Sequence, residues 1–426
     1  MFDEAEFGAD ADEAALVARI DELETLKASA AAAQARATAA LAQRRMVAEA
    51  ERGVPVARRG RGLAAEVALA RRDSPARGNQ HLGFAKALVH EMPQTLAALE
   101  RGALSEWRAT LIVRESACLD VEDRAVLDAE MCGDPDALVG LGDRQIIAEA
   151  KAIAYRLNPH AVVDRAARAA QDRTVTVRPA PDTMTYLTAL LPVAQGVSVY
   201  AALKRVADGC GDGRSRGQVM ADTLVERVTG QAAEVAASVA VNLVLSDDTL
   251  SGGSGAATIS DYGPVPAQVA RRLVAQALAD PEASATLRRL YARPDSGALV
   301  AMESRARTFP KGLARFIRTR DQRCRTPYCD APIRHTDHVT PAARGGPTSG
   351  ANGQGLCEAC NYAKESAGWD VAVSMGVQGR HTTEITTPTG ARHRSTAPPV
   401  LPGRPKAPIS ELEQHVGTVL CGVHAA

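Results

Sequence analysis

Four cysteines fall into two tight pairs in the last third of the chain, Cys324-Arg-Thr-Pro-Tyr-Cys329 and, after 27 intervening residues, Cys357-Glu-Ala-Cys360. Each short loop can present two sulfurs to one ion. Four thiolates make a closed tetrahedral site of the kind that Zn2+ occupies for structure, with no position left open for catalysis. Four reduced, unmetallated thiols would fit poorly, because the segment between the pairs has few apolar residues and needs another source of stability. The other cysteines, Cys118, Cys132, Cys210 and Cys421, stand alone.

Within and beside this frame lie Arg334-His-Thr-Asp-His-Val339, the turn Gly345-Gly346, Asn352, and Asn361-Tyr-Ala-Lys364. Hydrolysis of a phosphodiester takes a water activated by a base, a cation that neutralises developing charge, and groups that hold both in place. Asp337 can ligate a hard divalent cation such as Mg2+. Asn361 can add a neutral oxygen. His338 is the side chain here whose unperturbed proton affinity suits base work at neutral pH. An isolated Asp-His pair reads more readily as a structural hydrogen bond; inside the four-cysteine frame, with Asn361 downstream, it reads as a cleavage site. His335 would point to the opposite face of an extended strand from His338. It is either a phosphate contact or a spare ligand. Arg334, Arg344 and Lys364 are phosphate contacts or solvated charges.

Charge supports a phosphate-binding surface here. Residues 305–365 hold eleven basic and five acidic side chains, a net of +6, whereas residues 1–30 hold nine acidic and two basic, a net of −7. A local excess of Arg is the usual footprint of such a surface. Four thiolates and one dication would lower the +6 to about +4.

The elements that must position these groups follow from periodicity. The β-branched Val339 follows Asp337-His338, and Cys360–Asn361 opens a helix running toward Ser366, so Asn361 and Lys364 share a face. Upstream, residues 11–50 form a Pro-free, Ala-rich helix in which Leu16, Ile20, Leu23 and Leu26 recur at helical spacing, a core-packing face or the seam of a coiled-coil arm. Gly62 to Ala170 reads as a bundle of helices joined by short turns, with Trp107 and Leu111 in its core. Short strands follow at Thr174–Arg178 and Val239–Leu245, with helices at Val197–Ala207, Arg216–Val228 and Pro266–Leu278. Beyond Trp369, Val371–Met375 and Thr382–Thr387 suit a hairpin, and about 388–410 reads as a mostly disordered, Pro/Arg-rich tail. His81, His90 and His160 are scattered and read as structural or exposed.

The whole chain has 426 residues, a formal net charge of zero and 46% hydrophobic residues, room for two or three globular domains. Only 3% are aromatic, so the cores must rest on Ala, Val and Leu. No run of eighteen apolar residues is present, so no membrane span is expected, and the acidic N-terminus has no apolar stretch of the secretory kind. The expected location is cytoplasmic, where thiols stay reduced.

The segment from Arg315 to Trp369 resembles the HNH endonuclease family. That resemblance implies a ββα-metal fold in which Asp337 and Asn361 hold a catalytic divalent cation, Mg2+ or a similar ion, and His338 is the general base. It also implies that Asn352 braces the loop and orients His338 through backbone contacts, and that Cys324, Cys329, Cys357 and Cys360 match the zinc-bearing branch. The third motif position is Asn361 rather than His, an H-N-N variant. The whole chain is similar to the mycobacterial and wider actinobacterial 13E12 repeat family, in which a domain of unknown function (number 222) precedes an HNH module. Thr174–Asp182, Arg216–Leu224 and Tyr262–Pro266 carry that likeness.

The expected architecture is a mainly α N-terminal domain with a few short strands (α+β) over 1–300, a small HNH zinc domain over 301–370, and a hairpin and tail over 371–426. The expected partner is DNA. A non-catalytic zinc module that binds nucleic acid is the rival reading. Oligomeric state is open: a single site cuts one strand, so cutting both takes a homodimer or two separate events.

Overall fold

A computed structural model of the chain describes residues 12–134, 137–232, 243–259, 262–279, 303–304, 308–375 and 379–400. The chain forms two compact units, Met1–Ala169 and Ala170–Ala426. The boundary expected near 300, the start of the second expected strand (Val239–Asn242) and the tail beyond 400 lie outside the described residues.

The first unit is helical. It comprises α1 (Glu13–Glu51), α2 (Leu63–Ala70), α3 (Gly78–His90), α4 (Pro93–Glu100), α5 (Glu106–Ser116), α6 (Val121–Cys132), α7 (Asp143–Leu157) and α8 (Pro159–Ala169). Asp12 caps α1 by accepting from Ala15 N at 2.7 Å, and Ser105 and Asp120 cap α5 and α6 in the same way. The face of α1 that packs on α3 and α4 is alanine: Ala28, Ala31, Ala32, Ala35, Ala39 and Ala42 are buried. Small side chains at this spacing let the helices approach closely.

This corrects the core-packing expectation for the Leu stripe. Leu16, Ile20 and Leu26 are exposed and Leu23 is half-buried. The core instead takes its volume from Leu88, Met92, Leu99, Ile112, Leu127, Met131 and Ile146. Each of these buried side chains stabilises the fold by about 1.5–3 kcal/mol. Trp107 is also not a core residue: it is 56% exposed, and its Nε1–H donates to Asp143 Oδ2 at 2.9 Å, tying α5 to α7, while Leu111 is buried.

Helix α4 begins at Pro93 with Met92 as a cap that offers no side-chain acceptor. Asp128 of α6 fills the role from across the core. Its carboxylate accepts from Gln94 N at 2.7 Å, Thr95 N at 2.8 Å and Thr95 Oγ1 at 2.6 Å. A buried carboxylate is tolerated because these donors replace water.

The second unit opens with an antiparallel hairpin of β1 (Thr174–Pro179) and β2 (Thr185–Leu190), followed by α9 (Val193–Asp208) and α10 (Arg216–Thr229). Next come β3 (Leu243–Val244), α11 (Asp247–Leu250), β4 (Ala257–Ile259), β5 (Gly263–Val265) and α12 (Ala267–Ala279), with β3, β4 and β5 forming one antiparallel sheet. The remaining elements are β6 (Glu303–Ser304), α13 (Lys311–Asp321), β7 (His335–His338), β8 (Thr348–Ser349), β9 (Gly353–Leu356), α14 (Glu358–Lys364), β10 (Asp370–Met375), β11 (His381–Thr386) and β12 (Arg392–Thr396).

Strands β7 and β9 pair antiparallel, His335 opposite Leu356 and His338 opposite Gly353, and α14 packs on β7. The segment after 388 is not disordered through residue 400. β12 pairs with β11, with Thr382 opposite Thr396, and completes a three-stranded sheet with β10. Exposed Arg392, Arg394 and Thr396 alternate with half-buried His393 and Ser395 in a half-exposed edge strand, and its polar content masked it in the sequence.

Candidate metal centre and cleavage site

The two cysteine loops converge. Cys324 and Cys329 precede β7, Cys357 caps α14, and Cys360 lies in its first turn; all four are buried against Leu356. The four Sγ atoms lie within 4.8 Å of one another. Cys329 stands 3.8 Å from Cys357 and 3.7 Å from Cys360. A tetrahedron of sulfurs about 2.3 Å from a central ion has edges of about 3.8 Å, so this spacing fits a closed thiolate site; a disulfide would require about 2.05 Å. The four thiols act on one another: their mutual contacts lower the pKa of Cys357 and Cys324 and raise that of Cys329 and Cys360, so without a cation at the centre the four do not all ionise together. The tight first loop turns at Tyr328, whose φ is +63°.

His338 ends β7. Its Nε2 lies 2.9 Å from Thr348 Oγ1, and its ring packs on Phe309 with centroids 4.4 Å apart. The hydroxyl can serve either ring tautomer. Burial, then the charge of Lys364, lowers the His338 pKa below its ordinary 6.5. Both effects favour the neutral imidazole, the form able to accept a proton, against the opposing charge of Asp337.

Asp337 faces away from His338, as adjacent strand positions must, and pairs with Lys364 of α14. Lys364 Nζ also donates to the His338 carbonyl at 2.5 Å. Lys364 is thus not the solvated phosphate contact the sequence suggested: its side chain is 9% exposed and turned inward. Asn361, on the same helix face, has a buried Oδ1 that accepts no hydrogen bond. An unsatisfied buried acceptor, on the helix whose Lys364 reaches Asp337, is the kind of oxygen that a cation can use.

Asn352 is buried and its side chain is fully engaged. Oδ1 accepts from Thr340 N at 2.9 Å, and Nδ2 donates to Thr340 O at 3.0 Å and Pro347 O at 2.8 Å. Its carbonyl accepts from Val339 N at 2.7 Å, next to His338. The side chain closes the loop from 340 to 347 and has no capacity left for a substrate. Gly346 is required there: a Cβ would sit 1.9 Å from Thr340 O. Arg334 is exposed, and Arg344 is exposed and 3.7 Å from Asp370. His335 is partly buried.

A buried ionic cluster that the sequence reading missed supports the whole arrangement. Arg320 and Asp321 end α13, and Arg325 follows the first zinc-type cysteine; all three are nearly inaccessible. Arg320 donates to Asp321 Oδ1 at 2.7 Å, to Gly353 O at 2.7 Å and to Gly350 O. Asp321 Oδ2 accepts from Gly355 N at 2.7 Å. Arg325 reaches Ser395 O at 2.5 Å and His381 O at 3.2 Å. The cluster fixes β9, and with it the register of β7, and links both to β11 and β12. The signal available in sequence was a lone acid ending an otherwise basic helix, Arg315-Phe-Ile-Arg-Thr-Arg-Asp321. Close packing of α13 on β9 also needs Gly353, where a Cβ would lie 2.3 Å from Ile317 Cδ1.

A strand pair and a helix stand around the four-sulfur cluster, with Asp337 and His338 on the strand. Residues 322–367 match the HNH endonuclease family, and residues 21–321 match the domain of unknown function DUF222. The second match spans well over half of the chain, which belongs to the DUF222 family and carries a C-terminal HNH domain. No curated protein and no solved structure matches the chain. Among the described residues, no helix is long and apolar enough to cross a membrane.

Proposed function

We propose that the chain is an endonuclease that hydrolyses phosphodiester bonds of DNA, with a structural Zn2+ held by Cys324, Cys329, Cys357 and Cys360. The observation that carries the reading is the His338 imidazole, held between Thr348 and Phe309, next in the strand to the Asp337 carboxylate in a module braced by four sulfurs. With Nε2 engaged by Thr348, Nδ1 is the nitrogen left to take a proton from water. Asp337 and Asn361 would hold a divalent cation such as Mg2+, which when bound supplies charge neutralisation at the scissile phosphate. Arg334 and Arg344, exposed on the module, would steer and hold the DNA backbone, and His335 would stand at its edge. Asn352 acts at one remove, by keeping the loop and the end of β7 in place.

The test is cleavage of supercoiled plasmid with added Mg2+, comparing wild type with His338→Ala. The variant should keep its zinc and its DNA binding yet cut about a hundred- to ten-thousand-fold more slowly, the usual loss of a general base. Equal cutting rates at saturating metal would overturn the catalytic assignment and favour a module that only binds nucleic acid.

A further inference from the structure

Lys364 is the buried cation of the site. Its Nζ donates to the Asp337 carboxylate and to the His338 carbonyl, and Glu365 Oε1, on a largely exposed side chain, lies 3.5 Å away. Two acceptors thus bond the ammonium and a second carboxylate stands near it, which is how a charge removed from water is tolerated. One turn back on the same helix face, Asn361 Oδ1 is buried and accepts nothing. The carboxylate is neutralised, while the neutral oxygen of Asn361, on the helix that carries Lys364, is left over.

We infer that Lys364 is an internal stand-in for a divalent cation: it neutralises Asp337 when no metal is bound and gives up that carboxylate, turning toward Glu365, when one is. The inference rests on reading Asp337 as a metal ligand. Its physical basis is like-charge repulsion. A dication at Asp337 would stand only a few Å from the ammonium, in a partly buried place where water screens poorly. The contact to the His338 carbonyl gives Lys364 an anchor that does not change during the exchange. Lys364 therefore weakens divalent binding, although it carries no acceptor that could ligate the ion.

The experiment is a titration of full-length, zinc-loaded protein with Mn2+, reading free Mn2+ by electron paramagnetic resonance with no substrate present. Lys364→Gln keeps a hydrogen-bond donor but removes the charge, and it should bind Mn2+ on the order of tenfold or more tighter than wild type. Lys364→Arg keeps the charge and should bind like wild type. Asp337→Asn should lose the site. Zinc content and circular dichroism check folding, and Lys364→Met replaces Lys364→Gln should the latter misfold. Equal or weaker Mn2+ binding by the neutral variants, with Asp337→Asn still defective, overturns the stand-in role and leaves Asp337 as a ligand. Absence of Mn2+ binding in every variant overturns both the stand-in role and the metal half of the proposed function.

Discussion

Acidification from pH 7.5 to 5.5 should loosen the second unit through one imidazole, that of His381. The ring starts β11 and its Nε2 lies 2.8 Å from the Ala351 carbonyl, in the loop that carries Asn352. A carbonyl only accepts, so Nε2 carries the proton and Nδ1, buried and without a partner, is bare. Protonating Nδ1 would place a third positive charge in a desolvated spot beside Arg320 and Arg325. Burial first, then those guanidinium groups, push the pKa from 6.5 down to about 4, against the opposing pull of Asp321. Between these two values the unfolded chain takes up a proton that the folded chain refuses. Stability is therefore fully present above pH 6.5 and is lost as the pH falls toward 4. From pH 7.5 to 5.5 the linkage amounts to about 1.3 kcal/mol, or about 1 kcal/mol once screening at the open edge of the ring is allowed for. The assay is urea unfolding followed by fluorescence of Trp369 in a Trp107→Phe background, since the chain has two tryptophans. His381→Gln keeps an amide donor for Ala351 and does not titrate. Its pH dependence should be shallower than wild type by that amount, and the difference excludes acid effects on the cysteines, which both proteins share. Identical slopes for the two proteins would refute the account.

Cys357→Ser should abolish the one equivalent of zinc expected by elemental analysis and make the segment 322–367 protease-sensitive, with the helical first unit still folded. Asp128→Ala removes three hydrogen bonds from the start of α4 and should destabilise the first unit by about 2–4 kcal/mol in denaturant unfolding. Gly353→Ala forces a methyl group into Ile317 and should cost about 1–3 kcal/mol in the second unit. Arg344→Ala should leave the fold intact and reduce the salt dependence of DNA binding by about one unit of slope; an unchanged slope would mark Arg344 as a partner of Asp370 alone.

Much of the candidate site was legible because its groups are close in the chain or regularly spaced. Each cysteine pair spans less than two turns, Asp337 and His338 are neighbours on a short strand, and Asn361 follows Cys360 directly. Local geometry dictates where such side chains point, so residue type and spacing determined the metal-type cluster, the strand and the helix. The long helices were readable for the same reason. What sequence could not determine was which of several chemically plausible faces would be covered. On α1, leucine and isoleucine look like the core, yet alanine is buried because close helix contact rewards small side chains over large ones. Trp107 has the bulk of a core residue but is held at the surface by Asp143. Lys364 looks like a free phosphate contact until α14 packs on β7 and sets it against Asp337, 27 residues earlier. The Arg320–Asp321–Arg325 cluster joins groups 33, 34 and 70 residues apart. Such contacts have no local signature, because a charged side chain is buried only after distant backbone groups have assembled to replace its water.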